Sequence, residues 1–506
     1  MNRRPFIAKQ HSPRWLFPLD QLFPVSWLRG FGLLPWIALT ALLAPFVPAP
    51  SASVQWHGAQ TVCVEAGAVL LLAALLCRPW PLSSLRLSFQ SSPFARLPFV
   101  FLSLLLLWGL TSSLSLPTSF AVQGVLLLGV GVLVASVTAA QTTNTNRILF
   151  VTASVLLPAV LVALTGLAQL GDGKNVAVGV LQDHQLFGAF LLIPIPLGLS
   201  LSLASGPLTQ RLAGQAALLI CAAGLWESQN RSAWLGTTAS LAVFAGLFFC
   251  AVSRSPAPAT RRGSRNAVVP ALLGMVAVAG FVLISPNQDA LFARMRSADP
   301  VLHSSDESLR WRKIAWIGTR RMIAEKPFAG WGVGSFPVQH EPWTHTGHSA
   351  GVVLGQGPSI EDEAHDSYLQ LWAELGIAGL LLWLGAFLSL VGSSVQSLRR
   401  LKRGSLEQWL LIGGMSAVAG QMTDALANPA WQFGNITLPL WIVFGLTAAL
   451  SAPFKTGHRA TPPPPARSWP ALMVWRIVQS VLAAGLGFWL LTLIWRTAFA
   501  LPAPHL

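Results

Sequence analysis

The chain has 506 residues, of which 53% are hydrophobic and only 10% charged, with a mean hydropathy of +0.58. Soluble domains carry roughly 25% charged residues, so a soluble globular protein is excluded and an all-α polytopic membrane protein is expected. A net charge of +15 would suggest nucleic acid for a soluble chain. Here it asks instead which side of the bilayer the charges occupy, and no nucleic-acid partner is expected.

Windows of about 20 apolar residues suffice to cross a hydrocarbon core roughly 30 Å thick. In chain order they fall at Phe31–Val47, Ala59–Cys77, Leu97–Leu114, Phe120–Ala139, Leu149–Leu170, Leu186–Leu203 and Leu212–Leu225. Ala233–Val252, Val268–Ile284, Leu369–Val391, Trp409–Ala427, Thr437–Leu450 and Met473–Ile494 complete the set. The basic segment before Gly30 is broken by prolines and tryptophans, and the apolar run after it is long enough to remain as an anchor rather than a cleaved signal. Cys63, Cys77, Cys221 and Cys250 lie in or beside apolar runs, as free core thiols do.

Charge sets the expected topology. With a cytoplasmic N-terminus, twenty-two of the 33 basic residues fall on cytoplasmic segments, including the cluster Arg399, Arg400, Lys402 and Arg403. The short outer segments hold only Lys174, Arg231 and Arg496, as the positive-inside rule requires. This organisation divides the chain into N-terminal helices (1–180), central helices with polar outer segments (181–285), a large outer loop (286–366), C-terminal helices (367–451), and a Pro-rich cytoplasmic linker with a terminal helix (452–506).

The outer loop carries its own structure signals. Ser304-Ser305-Asp306-Glu307 is a capping box, and a helix is expected from there to about Glu325. Leu309, Trp316 and Ile323 recur every seven residues, which predicts one apolar face. Pro327 and the run Gly330-Trp331-Gly332-Val333-Gly334-Ser335-Phe336 then end the helix in a loop whose backbone comes close to something. That run lacks the lysine of a P-loop and the strand of a dinucleotide turn, so nucleotide binding is not expected.

Four polar features reach this outer face. His365, in Glu361-Asp362-Glu363-Ala364-His365-Asp366-Ser367-Tyr368, stands where the loop enters a membrane helix. Arg231 lies in Glu227-Ser228-Gln229-Asn230-Arg231-Ser232, a short link between two apolar runs, and Asp183 and His184 open another run. Arg312, with the glycines Gly332 and Gly334, comes from the loop. Guanidinium groups stay charged and donate paired hydrogen bonds to phosphate, whereas imidazole titrates near working pH and suits proton abstraction. Together these groups describe a site for a lipid-linked pyrophosphate and an acceptor hydroxyl.

The same residues admit other readings. Arg231 could snorkel to headgroups, and His365 could serve only as a cap. Glu361, Asp362, Glu363 and Asp366 could hold Mg²⁺ or Ca²⁺, and His340, His345 and His348 a transition metal. A transporter or flippase would place ionisable groups near the midplane, often in paired repeats; no repeat is found, and only Glu65, Glu374 and Asp424 fall inside apolar runs, where they could form a buried polar network. Glu374, nine residues beyond His365, lies too far along a helix to touch it.

The pattern His365-Asp366-Ser367-Tyr368-Leu369, followed by Trp372-Ala373-Glu374-Leu375-Gly376-Ile377-Ala378-Gly379, resembles the segment closing the periplasmic loop of O-antigen ligases and related polymerases. Arg312-Lys313-Ile314-Ala315-Trp316, Pro327 and Gly332-Val333-Gly334-Ser335-Phe336 are similar to the preceding part of that loop. Arg231-Ser232-Ala233-Trp234-Leu235-Gly236 resembles the family's serine-arginine element, with Asn230 in place of the usual serine. Gln182-Asp183-His184-Gln185-Leu186-Phe187-Gly188 departs more from the matching element. The resemblance covers about Gln182 to Leu390.

It implies a multi-helix, GT-C-like glycosyltransferase of the bacterial inner membrane, with 12 or 13 spans and its active site on the periplasmic side. The implied donor is a glycan on undecaprenyl pyrophosphate. The acceptor would be a hydroxyl of a lipid A core or, in the polymerase and protein O-oligosaccharyltransferase alternatives, of a growing glycan or a protein. The reaction is expected to invert the anomeric centre with no metal and no cofactor. His365 would be the general base, and Arg231 and Arg312 would bind the pyrophosphate. Asp366, which could orient His365, along with Asp183, His184, Gly332 and Gly334, would support them.

Overall fold

The computed structural model describes residues 32–47, 56–77, 93–114, 119–173, 175–253, 307–340, 343 and 363–452. The expected runs Val268–Ile284 and Met473–Ile494, the capping Ser304, and the cytoplasmic linkers lie outside these residues. Every long element is a helix, and no strand occurs among the described residues. In order they are α1 (Leu34–Leu43), α2 (Trp56–Cys77), α3 (Pro93–Ser113), α4 (Ser119–Gln141), α5 (Thr145–Gly171), α6 (His184–Leu192) and α7 (Pro194–Leu203). There follow α8 (Leu208–Glu227), α9 (Arg231–Ser253), α10 (Glu307–Glu325), α11 (Ser367–Leu398), α12 (Leu406–Asp424) and α13 (Gly434–Ser451).

Eight described spans are long and apolar enough to cross a membrane: α3, α4, α5, α8, α9, α11, α13, and α6 with α7 counted as one. Pro194 and Pro196 lack the N–H groups that would continue the helix, yet Ile193 keeps helical dihedrals, so α6 and α7 run on as a single span. The run expected at Trp409–Ala427 is α12, which ends at Asp424 and buries Gln408, Ser416, Gln421 and Asp424. It crosses the bundle as a polar-lined helix rather than a lipid-facing one.

All 18 residues of α13 are buried, which makes it the axis of the bundle. Small residues bring neighbouring backbones together, as in membrane proteins generally. A Cβ on Gly236 of α9 would lie 2.7 Å from the Gly420 carbonyl oxygen of α12 and 3.2 Å from Cβ of Asp424. This contact sets the start of α9 beside the end of α12.

Hydrogen bonds between loops define two ends of the bundle. At one, Leu33 N–H donates to Gln141 Oε1 at 2.7 Å, Ser205 Oγ–H to Gly404 O at 2.7 Å, and Ser397 Oγ–H to Ser451 O. The basic residues Arg147, Arg211, Arg399, Arg400, Lys402 and Arg403 belong to this end. At the other, Gln60 Nε2 donates to Pro45 O and Val180 O, and Asn435 Nδ2 to Gln60 Oε1 at 2.6 Å. The parity inferred from charge is the parity these loops have. His365, Arg231, Asp183 and His184 all belong to the second, charge-poor end.

The loop helix α10 differs from its expected pattern. Ala315, Thr319 and Met322 are fully buried and Ile323 nearly so, whereas Trp316 is half-buried and Ile317 exposed. The buried stripe therefore holds Ile323 of the expected heptad together with Met322 and the smaller Ala315 and Thr319, while Trp316 sits at its edge. That stripe lets α10 approach α11 closely.

Candidate active site

The site is built on a break in α11. Gly376 has φ 67° and ψ −178°, dividing a short helix, Ser367–Leu375, from the membrane helix that begins at Ile377. A break inside a membrane helix leaves backbone groups that must find partners. The carbonyl of Ala373 accepts from Trp331 N–H (3.0 Å), that of Glu374 from Gly332 N–H (2.8 Å), and that of Leu375 from the indole N–H of Trp108 (2.8 Å). Ile377 N–H and the Trp372 indole both donate to Pro327 O, at 2.9 and 3.0 Å.

The glycine loop is thus stitched onto the break backbone to backbone. A Cβ on Gly376 would collide with Phe328 O, and one on Gly334 would collide with Phe120 O. The Glu374 side chain completes the attachment. Its Oε2 accepts from Gly334 N–H at 2.9 Å, and its Oε1 accepts from Phe336 N–H at 3.3 Å and Gln370 Nε2 at 3.4 Å. The sequence allowed Glu374 a buried network with Glu65 and Asp424; its partners are instead Gly334 and Phe336 of the loop and Gln370 of its own short helix. Gly332 and Gly334 accordingly act through their backbone N–H groups.

His365 precedes this short helix with φ 51°, a left-handed conformation that a non-glycine residue holds only when its surroundings impose it. The surroundings are clear. Asp366 caps the helix, its Oδ1 accepting from Tyr368 N–H (2.9 Å) and Leu369 N–H (3.0 Å). Burial raises the Asp366 carboxyl above its ordinary value, against the pull of those two backbone bonds. Ser367 N–H donates to Ala425 O at 2.9 Å, Ser367 Oγ–H to Asn428 O at 2.8 Å, and Tyr368 Oη–H to Met422 O at 2.7 Å. The histidine segment is clamped to the C-terminal end of α12.

Arg231 and Arg312 come to the same junction. Asp424, fully buried at the end of α12, lies against Ser232 and Asn428 and within electrostatic reach of Arg312. Neither carboxylate oxygen meets full hydrogen-bond geometry. Arg231 is the first residue of α9, whose cap is Asn230: Oδ1 accepts from Ser232 N–H, Ser232 Oγ–H and, at 3.4 Å, Ala233 N–H. Asn230 Nδ2 also donates to Gln185 O at 2.8 Å, and Asn428 Nδ2 donates to the same carbonyl at 3.3 Å. An asparagine thus both caps α9 and ties it to α6, which a serine hydroxyl with one proton could not do alongside three accepted bonds. Asp183 caps α6, accepting from Gln185 N–H and Leu186 N–H at 2.6 and 2.9 Å, and His184 is that helix's first residue.

His340 is buried, stacks on Phe336 at 4.4 Å, and its Nε2 lies 3.1 Å from Ala315 O, tying the glycine loop to α10. His345, His348, Glu361 and Asp362 lie outside the described residues. Among the described residues, no group of three His, Cys, Asp or Glu side chains is placed to hold a metal ion.

A cavity of about 500 Å³ opens beside the short helix, whose Ser367, Gln370, Leu371 and Glu374 line it at helical spacing. Trp383 of α11, Trp431 and Trp441 form part of its wall. Sequence reasoning missed this cavity and Asn428 of the junction, and it named Asp424 only as a possible member of a buried polar network with Glu65 and Glu374. The cavity walls come from segments hundreds of residues apart, so no local spacing announces it.

No curated protein matches the chain. Residues 216–384 match the family model described as O-antigen ligase. The match runs from α8 through the break in α11 and includes Arg231, Arg312 and His365, while Asp183 and His184 precede it and Asp424 follows. A multi-pass helical chain whose polar end is built in part from this segment is thus similar, over residues 216–384, to the O-antigen ligase family.

Proposed function

We propose that the protein transfers a glycan from undecaprenyl pyrophosphate to a hydroxyl of a lipid A core, at the periplasmic face of the inner membrane. His365 takes the proton of the acceptor hydroxyl as its oxygen bonds to the anomeric carbon. The bond from that carbon to the pyrophosphate breaks with inversion, and the electron pair leaves with undecaprenyl pyrophosphate. Arg231 and Arg312 neutralise the charge that grows on this leaving group, the point at which fixed positive groups lower a barrier most. Asp424 holds Arg312, and Ser232 with it, so Asp424 is a positioning residue. The N-terminal end of α9 adds a partial positive charge on the same side. No metal ion takes part in the scheme.

The observation that supports this reading best is the junction itself. Arg312, Asp424, Ser232 beside Arg231, and the clamped His365 segment come from four parts of the chain and meet at the end of α12. A transporter would need such groups at mid-membrane; these gather at one end.

Transfer from purified undecaprenyl-pyrophosphate glycan in proteoliposomes tests the scheme. His365→Ala should lower turnover by about 100-fold or more while the protein remains monodisperse and thermally stable. Arg312→Lys should lower it about tenfold, because a point charge replaces a planar fork. Unimpaired turnover in His365→Ala sinks the general-base role. Turnover lost in EDTA and restored by Mg²⁺ sinks the metal-free scheme.

A further inference from the structure

The tip of the loop between α10 and the glycine run reaches the depth of the membrane helices. From Ile377 to Leu398 the membrane part of α11 is roughly 33 Å long, against a hydrocarbon core of roughly 30 Å. Arg399 and Arg400 follow it at the basic end of the bundle, so the break at Gly376 lies at the opposite edge of the hydrocarbon. Helix α3 gives the same level. Trp108, whose indole donates to Leu375 O, stands more than one helical turn, roughly 7 Å, below the end of its span at Ser113. Phe328 is packed at this depth: its carbonyl oxygen stands where a Cβ of Gly376 would be, and Pro327 O accepts from Ile377 N–H.

What the tip presents there is apolar, aromatic and basic. The Phe328 side chain is 76% exposed and Ala329 beside it is exposed too. Trp108, Trp331 and Trp372 are half-buried at the break and donate their indole N–H groups to Leu375 O, Met322 O and Pro327 O. Half-buried tryptophans with their polar edge satisfied are what a membrane interface collects. The Lys326 ammonium lies 3.8 Å from the Trp331 ring centroid, its head at the surface, in the manner of a snorkelling lysine. Arg320 and Arg321 are exposed on the turns before it, Arg321 also donating to Trp343 O, and Glu325 is the one acid in residues 317–329. The chain's own apolar runs outside the described residues, Val268–Ile284 and Met473–Ile494, contain no Asp or Glu to meet these cations. A phospholipid with a negative headgroup supplies both the charge and the carbon.

We infer that Lys326–Ala329 is a membrane anchor of the loop, in which Phe328 inserts among the acyl chains of the outer leaflet and Lys326 meets the headgroup of an anionic phospholipid. Arg320 and Arg321 add to the positive field there. The anchor fixes the loop from its lipid side, while the hydrogen bonds to Ala373, Glu374 and Ile377 fix it from the protein side. It stands on packing, depth and charge, and not on the glycan-transfer reading.

Photocrosslinking in bilayers of known composition tests the anchor. The full-length protein carries p-benzoylphenylalanine at position 328, which keeps an aromatic ring there. It is irradiated in nanodiscs of equal parts phosphatidylglycerol and phosphatidylcholine, and intact-protein mass spectrometry reads the adducts. Phospholipid adducts should form in a yield comparable to that of the same probe at Leu107, 57% exposed on α3, and well above that of a probe at the exposed Asp172 that follows α5. Phosphatidylglycerol adducts should outnumber phosphatidylcholine adducts by about threefold to fivefold, the effect of one cation near an anionic surface. Lys326→Gln should bring that ratio toward one. A probe at Ala329 supplies a second reading should the one at 328 disturb folding. Cross-links formed only within the protein, or lipid yields at 328 and 329 no higher than at Asp172, overturn the inference. So does a ratio near one before substitution, or one that Lys326→Gln leaves unchanged. Because no readout needs turnover, failure of the role of His365 leaves this result standing, and failure of the anchor leaves that role standing.

Discussion

At the junction around Asp424 polar side chains from several elements lie against one another, whereas the cavity is walled largely by aromatic and aliphatic side chains. Asp424 has Ser232 and Asn428 beside it and Arg312 within electrostatic reach. Asn230 Oδ1 takes three donors, and Gln185 O takes one from each of two asparagines. At the cavity the ionisable groups are carboxyls, Glu363 and Glu374, and Glu374 accepts from Gly334 N–H, Phe336 N–H and Gln370 Nε2. Both regions use the same short helix, Ser367–Leu375, so the difference is not one of position in the bundle. An uncompensated charge in a low-dielectric site costs far more than an unmet neutral donor. A region that holds arginines and a buried carboxylate must therefore surround them with polar neighbours, and the buried carboxyl of the cavity wall, Glu374, is held by three donors for the same reason. The junction thus sets a cation beside a buried carboxyl, whereas the cavity presents carboxyl groups and aromatic rings.

Gly376→Ala is the change that should break both regions together. The residue sits at φ 67°, with Phe328 O directly where its Cβ would stand. Left-handed strain alone costs roughly 1–2 kcal/mol, and the loop carbonyl must also move. The loop would come off the break, freeing the carbonyls of Ala373 and Glu374. Transfer activity and thermal stability in detergent should both fall. A Gly376→Ala protein with wild-type melting and turnover would show that the break does not organise either region.

Glu374→Ala should separate them. It removes the acceptor for Gly334 N–H and Phe336 N–H, about 1–3 kcal/mol for each buried donor left alone, and it alters the cavity wall directly. The bonds described above for the junction do not involve Glu374. Thermal stability should therefore drop while affinity for a pyrophosphate-bearing donor stays near wild type, with Glu374→Gln intermediate. Equal losses of both would mean that the loop reaches the junction as well.

How much of this was readable beforehand follows from what each feature depends on. Helices and their parity depend on local composition and on charge between runs, so the outer placement of His365 and Arg231 could be read directly. Caps are also local: Asp366 precedes two N–H groups that it accepts from, and any Asp at a helix start invites that reading. The close approach of the glycine loop was legible, but its target was not, because Gly376 looks like an ordinary glycine in a membrane helix until Phe328 is seen against it. Asp424 gave no sign of Arg312, which is 112 positions earlier in the sequence.

Asp366→Asn is the smallest change and asks whether the junction needs the charge of Asp366 or only its oxygen. Burial raises the folded-state carboxyl above its ordinary value of 3.8. Between that value and the raised one, the folded protein holds a proton that the unfolded chain has lost. Stability must then fall as pH rises through the window and stay lowered above it. Asparagine caps about as well as aspartate, so the amide oxygen introduced by the substitution would still accept from Tyr368 and Leu369 N–H, and the charge penalty would disappear. The variant should match or slightly exceed wild-type stability at neutral pH, with a flatter dependence through the acidic range, whereas Asp366→Ala should lose about 1 kcal/mol. Thermal unfolding across that pH range distinguishes these outcomes. If Asp366→Asn melts normally but loses turnover as severely as His365→Ala, the carboxylate's charge acts on the imidazole, and Asp366 belongs to the chemistry rather than to the cap.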